Sequence, residues 1–457
     1  MADTESQTDR ETATDGSAEF RRAPLGEIEP ARSRHMWTRS AVHATATDGL
    51  VVAGQWDGTV TAYDVDVLNG DAPESDSDPD PRWTVDHPDH AVGIASLGAG
   101  TGEGDGSIVV AGRGDRGTIT AYDAVTGDRR WRYDTADDVG DPVKDTVFYL
   151  PYVVALETSV DADGTDRLYA AARRYERDGE TRRWDSTVYS FDPDGEVRWR
   201  YETDASPIAL DLAADGERLA VGYNRCLGDH DVSLVVLDTD TGELTWTWDP
   251  GTEGDRRVGD VSFDGETIAV ASHGDKRGYL LGSGGAERWR VDLAVETEID
   301  GERLYAYPNH VHAGDGRVAF VTGNTYAVES RETESRHPNE HRIAAFDADG
   351  EPLWDDPVRG FVHGLAADGE RLVAPCAQNF RVRDPETHAV RWFDLGSGAG
   401  GVERVDGIAT AASLAGDVVT AVEEPVRYHD DDETRGEYAL RVGTLAETSS
   451  AAPIERR

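Results

Sequence analysis

Short runs in which apolar and polar residues alternate recur along most of this chain. GTITAYDAVTGDRRW at 117–131, STVYSFDPDGEVRW at 186–199, SLVVLDTDTGELTW at 233–246 and HRIAAFDADGEPLW at 341–354 share one layout. An alternating stretch is followed by a turn and a second stretch that ends in Trp. Alternation with a period of two marks β-strands with unlike faces. The turns (Thr126-Gly127, Asp194-Gly195, Thr241-Gly242, Asp349-Gly350) supply residues that tolerate positive φ. A second strand pair lies upstream of most of these. VHATATDGLVVAGQ at 42–55, LDLAADGERLAVGY at 210–223, VSFDGETIAVAS at 261–272 and VHGLAADGERLVAP at 362–375 are examples. The string DGERL begins at Asp215, at Asp300 and at Asp368. Each repeat therefore reads as four antiparallel strands, A to D, with a tight turn between A and B.

Trp83, Trp131, Trp199, Trp246, Trp289, Trp354 and Trp392 read as strand-D residues, and Trp37 in HMWTRS fits the same place. Their spacings run from 38 to 68 residues. Four-stranded units at this period predict an all-β, closed β-propeller. Seven complete units lie between Trp37 and Trp392. After them, 407–424 and 438–445 supply strands A, B and C of one more, with no strand ending in Trp. The strand at Trp37 is expected to complete that closing blade, which N- and C-terminal strands then share. This gives eight four-stranded blades; seven is the alternative, because the units of 65 and 68 residues leave the assignment open. The expected organisation is an acidic disordered tail at 1–32, the propeller at 33–446 and a second tail at 447–457.

AYDAVTGDRRW and VLDTDTGELTW resemble the repeat of pyrroloquinoline-quinone (PQQ)-like, or quinoprotein-like, propellers: Tyr or Leu before Asp, a Thr-Gly turn, then Trp. The resemblance covers about 30–445. WD-repeat propellers are less similar, for want of Gly-His and Trp-Asp punctuation. Members of the resembled group include quinone-dependent dehydrogenases and cofactor-free binding scaffolds. The dehydrogenases carry a vicinal Cys-Cys pair over the quinone and a catalytic Asp with a calcium site, and this sequence offers neither recognisably.

Charge narrows the classes further. Asp and Glu number 90 against 45 Lys and Arg, a net charge of −45. The lysines are Lys144 and Lys276 alone. A phosphate backbone needs a basic surface, so no nucleic-acid partner is expected. No apolar stretch is long enough for a membrane span. The acid is spread over nearly every loop, which resembles proteins of extreme halophiles. At molar salt the Debye length is ~3 Å and the self-repulsion is screened. Arg21-Arg22 is followed by no apolar h-region, so the protein is expected in the cytoplasm, as a monomer. Two cysteines, Cys226 and Cys376, read as free structural thiols.

In such a fold strand A lines a central channel. His43, His310 and His363 each lie six residues before the glycine of the A–B turn, at Gly49, Gly316 and Gly369. His312 lies two beyond His310, and Thr410 is the matching residue before Gly416. These belong to neighbouring units around the ring, so His43, His310, His312 and His363 are candidate metal ligands. The alternative is that they are polar wall residues bonded to water. The B–C loops gather arginine, including Arg113, Arg116 and Arg277, as an anion site or as partners of nearby acids. The longest of these loops, 173–186 and 324–341, suggest two arms on one face that grip a partner protein. The sequence thus reads as a non-enzymatic protein-interaction scaffold or ligand-binding module. The alternative is a metal-dependent lyase or hydrolase using the channel histidines, with a PQQ-dependent dehydrogenase less favoured. No cofactor is expected, a divalent metal remains open, and PQQ is disfavoured.

Overall fold

The computed structural model describes residues 18–32, 39–45, 49–69, 78–98, 106–160, 164–252, 254–379, 381–428 and 433–445. Within them the chain is built of antiparallel strands that pair in sequence order, four to a unit. The first unit is Ala41–Ala44, Leu50–Gly54, Thr59–Asp64 and Trp83–Asp86. The second and third (His90–Leu97 to Arg129–Asp134, and Tyr152–Val160 to Val197–Thr203) are joined into one sheet where Tyr152 pairs with Arg113. The fourth runs from Ala205–Leu212 to Leu244–Trp248 and the fifth from Val258–Asp264 to Glu287–Asp292. The sixth, Glu302–Gly314 to Pro352–Asp356, gains an extra edge strand, Thr297–Ile299.

Burial follows strand position. The B strands LVVAG and SIVVAGR are buried along their whole length, because both faces of a sheet are covered by neighbouring sheets. The outer D strands, such as Leu244–Trp248 and Glu287–Asp292, are largely exposed. Strand A carries a recurring irregularity. Its register to strand B shifts between Ala91 and Gly93, Val258 and Asp260, Pro308 and His310, and Ala409 and Ala411, among others. Such a bulge bends the strand and re-aims its side chains. Successive A strands touch one another around most of the fold, so they form the inner layer.

Two details differ from the sequence reading. Trp392 stands on the third strand of the seventh unit, Ala389–Asp394, and the fourth is Gly400–Arg404. The stretch before it, where the other units carry a third strand, holds a short 3-10 turn at Pro385–Thr387. The last unit is Ile408–Ala415, Val418–Glu424 and Ala439–Thr444, as read, but its outer strand is Glu19–Pro24. This strand falls in the segment read as a tail, and Trp37 lies outside the described residues. The physical reason is an aromatic fit with residues distant along the chain. Phe20 is paired with Gly443, where a Cβ would come within 2.9 Å of the Phe20 ring. The same ring packs on Trp392 at 5.9 Å. Ala23 and Leu25 then enter a core cluster with Val42 and Val51 of the first unit and Val422 and Leu440 of the last.

Candidate functional site

Strand A is an edge strand, and its inward N–H groups need acceptors. The structure supplies them from the neighbouring unit. Asp260 accepts from Val311 N at 3.1 Å, Ser262 from Ala313 N at 3.1 Å, and Ser413 from Ala44 N at 3.0 Å. Asp211 accepts from Phe263 N in the same manner. Polar side chains on the A strands therefore stitch one sheet to the next.

The histidines join this pattern. His310 Nε2 meets Val362 O at 3.0 Å, and its Nδ1 lies 3.6 Å from Asp260. His43 Nε2 meets Ser96 Oγ at 3.2 Å, in the second unit. His312 and His363 each have a buried Nε2 without a partner among the described residues. His310 and His363 are near enough for the charge of the first to depress the second, while His43 bonds on its own side. Burial is the main cause in each case. It holds His43 at about 4 and His363 at about 3, and lowers His312. Among the described residues no three His, Cys, Asp or Glu side chains form a group that could hold a metal ion. Thr410 donates to the buried Glu424 at 3.0 Å.

The sequence reading missed an acidic arc on the same inner layer. Glu157, Asp211 and Asp260 come from the A strands of three consecutive units. Burial, then the charges of Asp211 and Asp260, holds Glu157 well above the usual carboxylate range. Burial raises Asp211 to about 7, with the charge of Asp260 adding to it. The signal was available: Asp211 and Asp260 each precede their turn glycines, Gly216 and Gly265, by five residues.

At one end of the sheets the B–C and D–A connections share a face. The two long loops do project there, by different means. Residues 173–186 extend a continuous hairpin, Asp166–Asp178 paired with Thr181–Phe191. In the sixth unit, Arg317–Ala327 continues past its C-strand partner and pairs with the start of Glu302–Gly314. Its loop is held by Arg331, which donates to Thr325 O at 3.1 Å and Thr333 O at 3.2 Å. Arg116 pairs with Asp134, Asp137 and Asp141, and Arg277 with Asp275 and Asp292, so local acids occupy both. Arg113 differs: it lies over the Tyr152 ring at 4.6 Å and donates to Val147 O at 2.9 Å.

Both lysines are on this face as well, Lys144 over Tyr149 at 4.7 Å and Lys276 over Tyr305 at 4.9 Å. Of the exposed large apolar side chains, Val143, Phe148, Leu227, Tyr326, Val328 and Val382 stand in or beside these connections. Cys226 and Cys376 are both buried and free, and burial pushes each thiol up to about 12.

Residues 75–261 and 230–427 match the PQQ-like repeat family described as outer membrane protein assembly factor BamB, and the chain belongs to that family. It is 27% identical over 304 residues to the dehydrogenase subunit of a quinone alcohol dehydrogenase from Komagataeibacter europaeus. That match covers 62% of this chain and 36% of the relative. A quinohemoprotein alcohol dehydrogenase from Comamonas testosteroni is 25% identical over 249 residues, 51% of this chain and 30% of that protein. The chain thus spans about a third of the length of these relatives. Among solved structures, BamB from Moraxella catarrhalis aligns with TM-score 0.52 at 14% identity, over 93% of this chain and 99% of that one. The Comamonas testosteroni enzyme aligns with TM-score 0.57 at 13% identity, over 92% and 77%. These likenesses establish a PQQ-like propeller fold.

The quinone arrangement implied by the dehydrogenases does not fit the residues present. The two cysteines stand in different units, Cys226 at the end of Arg218–Cys226 and Cys376 at the end of Arg371–Cys376. The inner acids Asp211 and Asp260 are engaged by backbone N–H groups. No helix among the described residues is long and apolar enough to cross a membrane.

Proposed function

We propose that this protein is a non-enzymatic binding propeller, a ring of eight blades closed by Glu19–Pro24, that engages a protein partner through its B–C and D–A loop face. One observation carries the reading. On a chain of net charge −45, that face gathers both lysines, unpaired arginines and exposed apolar side chains. Among the described residues, the other exposed large apolar side chains, Val67, Val125, Val160, Leu244 and Leu353, stand outside these connections. A cationic, tyrosine-rich face with apolar points suits a partner that presents acidic residues around an apolar centre. The two arms frame it. The site of action proposed is the cytoplasm, where no disulfide is needed.

Position-specific photo-crosslinking in the native cell tests this. A photoreactive residue at Phe148 or Tyr326 should capture one and the same protein, while one at Val67 or Leu353, exposed on other surfaces, should not. Equal capture from all four positions, or none from the first two, would overturn the proposal. Incubation with PQQ and calcium, followed by an absorbance scan, separates the dehydrogenase reading: a bound quinone spectrum would favour it.

A further inference from the structure

Where the sixth and seventh units meet, a cavity of about 700 Å3 opens on the loop face. A buried carboxylate lines it. The Glu340 side chain is only 5% exposed. Its Oε2 accepts from Thr325 N at 3.0 Å. Its Oε1 is less well served: Asn379 Nδ2 stands at 3.4 Å and the Arg336 guanidinium at 3.8 Å. Burial works to raise the Glu340 pKa, but hydrogen bonds from Thr325 hold it below its ordinary value, so the group is ionised at neutral pH. A charge withdrawn from water and only partly compensated is costly, and a cationic group reaching Oε1 would relieve it.

Arg359 stands beside this carboxylate. Asn379 Nδ2 also donates to Arg359 O, at 3.1 Å, so one amide ties Glu340 to the Arg359 backbone. Arg359 and His341 both hold positive φ, 64° and 50°. Residues with a Cβ are strained there, and the conformation persists only where the surroundings impose it. Here Arg359 N donates to His341 O at 3.1 Å, and His341 Nδ1 meets Arg359 O at 2.8 Å. The backbone is thus fixed beneath an exposed guanidinium that lines the cavity. Arg359 has no carboxylate partner among the described residues.

The other charges of the wall are engaged. Arg342 pairs with Asp355, Asp300 accepts from Ser335 Oγ, and Asp384 accepts from Glu386 N at 3.0 Å. Ile299, Pro338 and Val382 add apolar surface. The volume falls in the range of small-molecule sites.

We infer that this cavity binds a small zwitterion, an amino acid or dipeptide with an apolar side chain, its ammonium on Glu340 and its carboxylate on the Arg359 guanidinium. It goes beyond the partner reading and does not depend on it. A guanidinium fork matches a carboxylate with two parallel hydrogen bonds. The ligand needs both charges, because a lone anion would meet Glu340 and a lone cation would meet Arg359.

Calorimetric titration of the full chain, in salt at which circular dichroism shows it folded, decides this. The probes are leucine, leucyl-leucine, isocaproate, which lacks the ammonium, and leucinamide, which lacks the carboxylate. Leucine or leucyl-leucine should bind at one per chain, with isocaproate and leucinamide weaker by about tenfold or more. Glu340→Gln and Arg359→Gln should each weaken that binding by about tenfold or more, the effect of one charge-assisted hydrogen bond. Arg116→Gln, whose partners are Asp134, Asp137 and Asp141, should leave it unchanged. Arg359 is exposed, so its replacement reads binding without a folding effect should Glu340→Gln misfold. No heat with either zwitterion, isocaproate or leucinamide binding as tightly as they do, or wild-type affinity in a folded variant of Glu340 or Arg359 would overturn the assignment.

Discussion

The indole of Trp199 lies flat against Gly242 of the next unit. Its Nε1 donates to Thr239 O at 2.8 Å, and a Cβ built on Gly242 would stand 2.6 Å from the ring. The contact repeats around the fold. Trp83 meets Gly127 and Ala124 O, Trp131 meets Gly195 and Pro193 O, and Trp354 meets Gly398 and Leu395 O. A tryptophan on the fourth strand of one unit thus locks the turn before the fourth strand of the next. The glycine is required twice, for its positive φ of 72° and for the space it leaves.

Gly242→Ala should therefore destabilise the protein by about 2–4 kcal/mol, combining left-handed backbone strain with overpacking. Gly216→Ala isolates the first part. Its φ is 74°, and its nearest neighbour would be 3.9 Å away. The expected cost there is about 1–2 kcal/mol. Denaturant unfolding of the two variants measures the difference. Equal losses would mean that the tryptophan contact adds nothing.

This contact also explains what was legible in the sequence. The Trp and Thr-Gly signals are local, repeated and sterically obligatory, so strand order through the sixth unit followed from them. The reading failed where the signal is not repeated. In the seventh unit Trp392 sits one strand earlier than its counterparts. Glu19–Pro24 is EFRRAP, with charges at its centre, and nothing local marks it as a strand. Only its distant partner, Ala439–Thr444, makes it one. The histidines were located by their offset from the turn glycine. The same offset logic applies to Asp211 and Asp260, whose role depends on neighbours that one strand does not reveal. The cavity of Glu340 and Arg359 joins two units and has no linear signature.

Asp211 sets an expected pH dependence. Its folded-state pKa of about 7 lies above the ordinary carboxylate value of 3.8. The folded protein then binds more protons than the unfolded chain between these values, so this group's contribution to stability falls as pH rises across that window. Asp211→Asn removes the titration while keeping an oxygen for Phe263 N. It should raise the melting temperature, relative to wild type, more at about pH 8 than at about pH 5. A constant difference across the range would show that Asp211 is ionised throughout.

The charge of −45 predicts that salt supports the fold. Circular dichroism should show native structure in molar KCl and its loss on dialysis to low salt, as the ~3 Å screening length grows to ~30 Å. Identical melting in the two conditions would remove the halophilic reading.

The inner histidines are expected to serve as hydrogen-bonding links between units. Added zinc at neutral pH should leave melting unchanged, whereas His310→Ala, which loses the bond to Val362 O, should lower it. A zinc-dependent rise that His363→Ala abolishes would instead establish a metal site.

The loop face and its cavity exist as described only if the ring is closed, so closure is the claim on which the rest stands. Hydrogen exchange read by mass spectrometry tests it most directly. The account predicts that amides of residues 19–24 are protected to the same degree as those of 439–444, their partners, and that Phe20→Ala lowers both together. Exchange of residues 19–24 at the rate of an open chain, with 439–444 still protected, would contradict it.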